Sequence, residues 1–331
     1  MIRSALATAT IALGLAPNAL VGSGPAEAQD WPAKPVTIVI PFAAGSGSDI
    51  VGRILAPYIS ELLGRPVVVE NVGGSGGIAA VARVARAAPD GYQIVLGTAG
   101  THAVNQTLYK RLPYNAAADF APVALTVEQP IAVVARTDLP VNDLQELAGY
   151  MKANHVRMQY GSPGVGTTPH LACVLLNTLI GVDVTHVPYR GAGPAMQDLM
   201  AGRIDYQCAA FAPVIPQIQG NLIKAVALLK RTRSPILPTL ATAHEQGFTD
   251  FEAATWYAFF VPKGTPKAIV QKLNEVTTAV MSMPAVEQRL KEVGTEAVRP
   301  EQRSPEYLQQ FMAIEIKKWA AAVKSSGTKI D

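Results

Sequence analysis

The chain alternates short apolar, β-branched runs with longer stretches whose apolar residues recur at helical spacing. Short runs of that kind are typical of parallel strands buried on both faces, and the longer stretches are typical of helices packed against them. The pattern predicts strands at 36–41, 67–70, 93–97, 131–135, 158–161, 184–187, 205–210, 224–229 and 256–261. It predicts helices at 49–63, 77–88, 144–154, 169–180, 192–201, 266–281, 284–293 and 305–325. The sequence therefore predicts an α/β fold.

The first 28 residues do not follow this alternation. Arg3 supplies a positive charge, an apolar stretch follows it, and Ala26-Glu27-Ala28 forms a small-x-small cleavage motif. These are the parts of a secretory signal peptide, and the apolar stretch is too short for a membrane anchor. A buried N-terminal helix is the other interpretation, but the prolines and glycines between residues 17 and 25 would break it. We therefore expect cleavage near Ala28 and export.

The length of the mature chain predicts two domains, because about 300 residues exceed one ordinary core. The alternation restarts near residue 129 without a low-complexity linker, so we expect the chain to cross between the domains more than once. The predicted arrangement has a discontinuous first domain, 29–128 with 226–331, and an inserted second domain, 129–225. A cleft is expected between them.

Charge and cysteine content exclude several classes of protein. The net charge is only +3 and no basic block occurs, so nucleic acid is not an expected partner. Cys173 and Cys208 are the two cysteines of the sequence, which is too few for a disulfide scaffold. They either bridge in an oxidising compartment or stay as two buried thiols, and the sequence leaves both alternatives open.

Three loops share one design: a predicted strand, a turn rich in glycine, and the start of a predicted helix. They are AAGSGSD at 43–49, SPGVGTT at 162–168 and PYRGAGP at 188–194. We expect the helix N-cap at Ser48 or Asp49 in the first loop and at Thr168 in the second, with Pro169 and Pro194 at first helical positions. Loops that follow parallel strands gather at the carboxyl edge of the sheet, where ligands bind.

An anion suits such loops. The first turn of a helix has N–H groups without intrahelical acceptors and carries about half a positive charge. Glycine lets the backbone approach a ligand, and serine and threonine add hydroxyl donors. One set of loops in each domain therefore predicts an anion that bridges the cleft. The alternative is that these residues only cap helices and form tight turns.

Other chemistries lack the spacing that they require. The loops contain neither the dinucleotide-binding fingerprint nor a P-loop, which disfavours phosphate. The segment GSPGVG is not a G-x-S-x-G nucleophile elbow. The five histidines are scattered without the spacing of a metal site or a catalytic triad. We therefore expect no catalytic residue, no metal and no cofactor.

Two residues near the loops have two interpretations each. Asp49 is either a capping residue or the partner of a cationic or hydroxyl group on the ligand. His170, in the first turn after GVGTT, either donates to a carboxylate or is a buried polar group bonded to the backbone.

The loops and their surroundings resemble a known family. The matching segments are WPAKPVTIVIPFAAGSGSD, VVVENVGGSGG, APDGYQIVLGT, YGSPGVGTTPHLA, VTHVPYRGAGPAMQDLMAGRID and FVPKGTP. In this order they are similar to the solute receptors of tripartite tricarboxylate transporters, the Bug-type receptors. The resemblance covers essentially the whole mature chain.

The resemblance implies a periplasmic, non-enzymatic receptor with the two-domain Venus-flytrap architecture. It implies a monomer that captures a small organic carboxylate in the cleft between its lobes and delivers it to a tripartite membrane transporter. A dicarboxylate is favoured, aliphatic or aromatic, such as a phthalate isomer. The implied ligand-binding residues are Phe42, Ala44, Ser46, Ser48, Asp49, Thr98, Ala99, Ser162, Gly166, Thr167, Thr168, His170, Tyr189, Gly191 and Ala192.

Ser46 is a departure from the family pattern, whose first loop usually has the form G-G-x-x-D. Its side chain narrows the pocket or supplies a hydroxyl, so ligand identity stays open. Two other functions also stay open. One is an exported hydrolase that uses Ser46 or Ser162 as its nucleophile, and the other is a receptor that signals to a membrane sensor instead of feeding transport.

Overall fold

The structure is a computed structural model and describes residues 31–249 and 251–325, without the side chains of residues 322 and 325. The predicted signal peptide, residues 1–28, lies outside the described residues. In the part of the chain that is described, no helix is both long and apolar enough to cross a membrane.

The described chain alternates strands and helices, as the sequence predicts. The strands are β1 Val36–Ile40, β2 Val67–Asn71, β3 Gln93–Thr98, β4 Phe120–Ala135, β5 Gln159–Ser162, β6 Thr185–Pro188, β7 Tyr206–Ala210, β8 Lys224–Leu228, β9 Ala254–Pro262 and β10 Glu296–Ala297. The helices are α1 Gly47–Leu63, α2 Ile78–Ala85, α3 Asn105–Leu108, α4 Leu144–Asn154, α5 Thr168–Ile180, α6 Ala192–Met200, α7 Phe211–Gln219, α8 Lys267–Met281, α9 Pro284–Glu292 and α10 Pro305–Ser325. A π-helical turn, Gly100–Val104, connects β3 to α3.

One long strand joins two sheet regions. The strand order is β2-β1-β3-β9-β4-β7-β5-β6, with β8 and β10 also paired to β4. Residues 120–130 of β4 pair with β9, whereas residues 131–135 pair with β7 and β8. We call the region around β1, β2, β3, β9 and the first part of β4 the first lobe, and the region around β5–β8 and the end of β4 the second lobe. The two-domain α/β architecture predicted from the sequence is confirmed.

The sheet is mixed, which corrects the expectation of parallel strands throughout. β1 runs parallel to β2 and β3, and β5 runs parallel to β6 and β7. The strand β4 is antiparallel to β7, β8 and β9, and it carries the chain from one lobe into the other. The three glycine loops follow β1, β5 and β6, so the strands that precede them are the parallel ones.

Each half of the sheet is covered by helices on both faces. In the first lobe, α1 and α8 pack on one side with Ile38, Leu55 and Phe259, and α2 and α10 pack on the other. In the second lobe, α4 and α5 cover one face and α6 and α7 cover the other. These buried apolar faces hold the strand ends, and therefore the loops, in place.

The disulfide alternative is the one that the structure contains. Cys173 in α5 and Cys208 in β7 form a disulfide, with a Cα–Cα distance of 5.4 Å. Both residues are fully buried in the second-lobe core. The bridge ties α5, whose first turn follows the second glycine loop, to a central strand.

Candidate functional site

A cavity of about 290 Å³ lies between the lobes. Phe42, Ser46 and Thr98 line it from the first lobe, and Thr167, Thr168 and Ala192 line it from the second lobe. All three glycine loops reach this one space through the helix starts that follow them. The convergence expected from the sequence is therefore present in the structure.

The first loop reaches the cavity through the start of α1. Ser46 is the N-cap, and its hydroxyl accepts a hydrogen bond from the N–H of Asp49 at 3.3 Å. The expected N-cap, Ser48 or Asp49, was therefore wrong by two or three residues. With Ser46 as cap, the N–H groups of Gly47 and Ser48 have no intrahelical acceptor, and both residues line the cavity.

The second loop reaches it through the start of α5. Thr167 is the N-cap, one residue earlier than predicted, and accepts a hydrogen bond from the N–H of His170. Its hydroxyl also donates to the carbonyl of Gly164 at 2.8 Å. Thr168 is the first helical residue, and its hydroxyl donates across the lobes to Thr255 Oγ1 at 3.3 Å.

The third loop reaches it through the start of α6. This helix begins at Ala192 with Gly191 as N-cap, so Pro194 is its third residue and not its first as predicted. Gly191 has no side chain to cap the helix, and the N–H groups of the first turn are left to another acceptor.

The surroundings of Gly47 leave no room for a side chain. A Cβ atom at this position would collide with the side-chain oxygens of Gln129 and Tyr257. The Tyr257 hydroxyl donates to Gln129 Oε1 at 2.9 Å, and Gln129 Nε2 donates to Thr295 at 2.7 Å. This buried chain of hydrogen bonds sits where β4 leaves the first lobe, directly against the start of α1.

The described residues that line the cavity include no Asp, Glu, Lys, Arg or His. Arg190, the arginine nearest to a predicted contact loop, is exposed and lies outside the lining. The partial positive charge that the cavity wall offers therefore comes from the helix starts and not from a cationic side chain.

Asp49 is buried but does not line the cavity. Its carboxylate accepts hydrogen bonds from the N–H of Gly45 at 2.8 Å, from Arg53 Nε at 2.9 Å and from Asn71 Nδ2 at 2.9 Å. Burial raises the pKa of Asp49, but these hydrogen bonds outweigh it and leave the pKa below its usual value. Asp49 thus stabilises the first loop from the side away from the cavity. Its carboxylate oxygens already accept hydrogen bonds from other groups of the chain.

His170 and Ser162 also lie behind the cavity wall. Nδ1 of His170 accepts from the N–H of Gly166 at 3.4 Å, and its ring lies 4.3 Å from the ring of His186. Burial, together with the nearby His186, lowers the pKa of His170 to about 3, so the ring is neutral. Ser162 Oγ lies 2.8 Å from His186 Nε2 and accepts from the N–H of Gly164. The backbone-bonded interpretation of His170 is the one that this geometry favours.

Five more predicted residues lie outside the lining. Tyr189 donates through its hydroxyl to Asp198 at 2.7 Å, Ala44 is exposed, and Ala99 is buried in the first-lobe core. Gly166 and Gly191 belong to the contact between the lobes. Gly166 has φ +83°, and a Cβ there would collide with Asn105 of the first lobe. A side chain on Gly191 would press on Ala43.

Sequence reasoning missed one part of the contact between the lobes and one part of the cavity wall. The loop at 71–77, interpreted as a plain turn, packs against the second lobe, since a Cβ at Gly73 would lie 3.3 Å from the carbonyl of Arg190 and one at Gly76 would collide with the carbonyl of Val165. The second missed part is α7, which lines the cavity through Pro213, Val214 and Gln217. No helix was predicted there because the prolines of FAPVIPQIQ are typical of irregular chain.

No group of three or more His, Cys, Asp or Glu residues that could hold a metal ion is found among residues 31–249 and 251–325.

Residues 51–328 match the model of a family described as the tripartite tricarboxylate transporter family receptor. The chain belongs to this family. The match confirms the resemblance seen in the sequence. The family consists of solute-binding receptors and not of enzymes.

Three solved structures illustrate the family fold. The periplasmic binding protein BugD is 38% identical, with a TM-score of 0.87 over 90% of this chain and 99% of its own. MatC (Rpa3494) from Rhodopseudomonas palustris, solved with bound malate, is 38% identical, with a TM-score of 0.85 over 88% of this chain and 100% of its own. R. palustris Rpa4515, solved with adipate, is 32% identical, with a TM-score of 0.86 over 90% of this chain and 99% of its own.

Proposed function

We propose that this receptor captures a small organic carboxylate between its lobes. The carboxylate that we propose is a dicarboxylate, either aliphatic or aromatic, such as a phthalate isomer. The observation that carries the proposal is the convergence of three helix starts on one uncharged cavity. A carboxylate there accepts hydrogen bonds from backbone N–H groups and hydroxyls of both lobes. Each such charge-assisted bond contributes about 1.5–3 kcal/mol net.

The contact residues that we propose are the seven predicted residues that line the cavity. Ser46, Ser48 and Thr98 belong to the first lobe, and Thr167, Thr168 and Ala192 belong to the second lobe. Phe42 supplies an apolar wall beside them. The other eight predicted residues act by shaping the loops or the contact between the lobes.

Closure follows from this division of contacts. A ligand that touches both lobes binds well only when the lobes are together, so binding shifts the population toward the closed state. The closed monomer then delivers the ligand in the periplasm to membrane subunits of a tripartite tricarboxylate transporter. Residues 1–28 are proposed to direct export as a cleaved signal peptide.

The residue limits of the lobes are also a proposal. The change of pairing partners within β4 falls between Pro130 and Ile131, which supports a first crossing two residues after the predicted boundary at 128/129. For the return crossing, the predicted residue 226 lies inside β8, which pairs with the second-lobe part of β4. Ala243, Phe251 and Ala253 pack in the second-lobe core. These contacts support a return crossing near residue 253, directly before β9.

A hydrolase is the second candidate, and the 2.8 Å separation of Ser162 Oγ and His186 Nε2 is the observation that favours it. Against it, Ser162 is fully buried and is absent from the cavity lining. Ester turnover by the mature protein that disappears in Ser162→Ala would support the hydrolase. Turnover that disappears in Ser46→Ala would support the other predicted nucleophile.

A thermal-shift panel on the mature protein tests the proposed function. The panel contains mono-, di- and tricarboxylates, acidic amino acids and phthalate isomers. A ligand at 100 times its dissociation constant stabilises the protein by about 2.7 kcal/mol. No stabilisation by any carboxylate would overturn the proposal. Loss of uptake in a deletion strain would indicate a role in transport. Loss of induction in that strain, with uptake intact, would indicate a role in signalling.

A further inference from the structure

One face of α6 and one face of α7 extend the cavity beyond the helix starts. From α6 the lining residues are Ala192, Gly193, Met196, Gln197 and Met200. Positions separated by four and eight residues lie on the same side of a helix, so these residues form a single stripe. On α7 the stripe consists of Pro213, Val214 and Gln217.

The α6 stripe leads from the half-buried helix start at Ala192 to the exposed residue Met200. Eight residues at 1.5 Å per residue place Met200 about 12 Å along the helix from Ala192. Met196 is 9% exposed, whereas Met200 is 38% exposed. A ligand whose carboxylate lies at the start of α6 therefore has the methionines alongside the rest of its body.

The chemistry of the stripe differs from that of the helix starts. Methionine is flexible and apolar, so it adapts to chains and rings alike. The polar side chains beside the two methionines are amides, and the buried amide of Gln207 already donates to Met196 Sδ at 3.7 Å. The wall therefore offers contact area to an apolar body and no charge to a second buried anion.

We propose that the ligand is a carboxylate with an apolar body, and that Met196 and Met200 are the residues that select it. This inference rests on the proposed function and narrows its substrate class. A short hydroxylated acid fills only the polar end and leaves the methionine stripe facing water. A longer chain or an aromatic ring covers the stripe, and a second carboxylate then lies at the opening, near Gln197 and Gln217.

Isothermal titration calorimetry with malate, succinate, adipate and suberate tests the proposal. Each additional buried methylene should tighten binding about fourfold. Affinity should therefore rise from succinate to adipate and on to suberate, and malate should be among the weakest. If malate or succinate binds as tightly as adipate and suberate, the inference is overturned.

Two variants assign the effect to the stripe. Met200→Gln, at the exposed opening, should lower the affinity for adipate and suberate several-fold and leave that for succinate unchanged, and Met196→Gln should act in the same direction. Met283→Gln is the matched control, because Met283 is half-buried at the start of α9 and lies outside the cavity lining. An equal effect on all four acids, or no effect, would contradict the role of the methionines.

The two proposals fail in different ways. If none of the carboxylates in the thermal-shift panel binds, the proposed function is wrong and this inference is wrong with it. If carboxylates bind but their affinity is independent of the apolar body, only the present inference is wrong.

Discussion

The hydroxyl of Tyr109, in the first lobe, donates a hydrogen bond to the backbone carbonyl of Val165, in the second lobe, at 3.3 Å. Val165 also packs against the apolar cluster that lies under α10 in the first lobe. The lobes are therefore in contact through groups of the chain itself. This contact exists only when the lobes are together, so it favours the closed state.

Tyr109→Phe should weaken ligand binding without unfolding the protein. The variant loses one hydrogen bond of the closed state, which contributes about 0.5–1.5 kcal/mol, so affinity should fall roughly two- to tenfold. Calorimetry with a ligand from the carboxylate panel measures this change. Tyr150→Phe, on the surface helix α4, is the control and should bind as the wild type does. An affinity for Tyr109→Phe equal to that of the control would show that the contact does not hold the lobes together.

Gly47→Ala should both destabilise the protein and impair binding. The added methyl group collides with Gln129 and Tyr257, and neither moves freely because they hydrogen-bond each other in the core. Overpacking of this kind costs about 1–3 kcal/mol. Urea denaturation measures the loss, and calorimetry measures the affinity.

Gly149→Ala is the matched control for Gly47→Ala. Gly149 lies inside α4, and a Cβ there meets no atom within 4 Å. Alanine in a helix interior should stabilise the protein by about 0.5–1 kcal/mol. If the two variants had the same stability, the close approach at Gly47 would not matter.

Stability should fall as the pH drops from 7 to 5. Burial lowers the pKa of His102 to about 3 and that of His170 to about 3, whereas an unfolded histidine titrates near 6.5. In this pH range the unfolded chain binds more protons than the folded one, so the free energy of unfolding decreases with decreasing pH. Each buried imidazole contributes up to about 1.4 kcal/mol per pH unit.

Urea denaturation across this pH range measures the slope. Burial also lowers the pKa of His186, to about 4, so His186→Gln should make the slope shallower. Ser162→Ala removes the same hydrogen bond but keeps the imidazole, and it should retain the wild-type slope. A wild-type stability that is flat between pH 7 and pH 5 would contradict the neutral, buried state of these rings.

Reduction of the disulfide should destabilise the second lobe. Cys173 and Cys208 close a loop with a sequence separation of 35, and a cross-link of that span contributes about 3–4 kcal/mol. Denaturation with and without a thiol reductant measures this contribution. The double variant Cys173→Ala/Cys208→Ala should show the loss and no response to reductant. Equal stability of the wild type under both conditions would be inconsistent with the bridge.

The local pattern of the sequence was enough to predict most strands and helices, because their apolar periodicity reflects burial in the sheet. It failed where local signals compete. Ser46, Ser48 and Asp49 are all good N-caps, and the helix that starts after Ser46 places Gly47 where a Cβ would collide with Tyr257. The first part of β4 was missed because Pro122 and Pro130 are unusual inside a strand.

The candidate site was predictable only in part for a different reason. The sequence places hydroxyls and glycines next to the helix starts, and seven predicted residues do line the cavity. Which side of each loop faces the cavity depends on the opposite lobe. Asp49 and His170 therefore turn away toward Asn71 and Gly166, and Met200 and Val214 line a wall that no loop motif indicates.

Calorimetric titration of the mature protein with a carboxylic acid that binds it, and with the ester in which every carboxyl group of that acid is methylated, tests the central claim most directly. The ester has the same body but lacks the negative charge that the helix starts are proposed to bind. We predict that esterification abolishes measurable binding. Ser48→Ala should weaken binding of the acid, and the ester should bind neither the wild type nor this variant. An ester that binds as tightly as its acid would contradict recognition of the carboxylate by the helix starts.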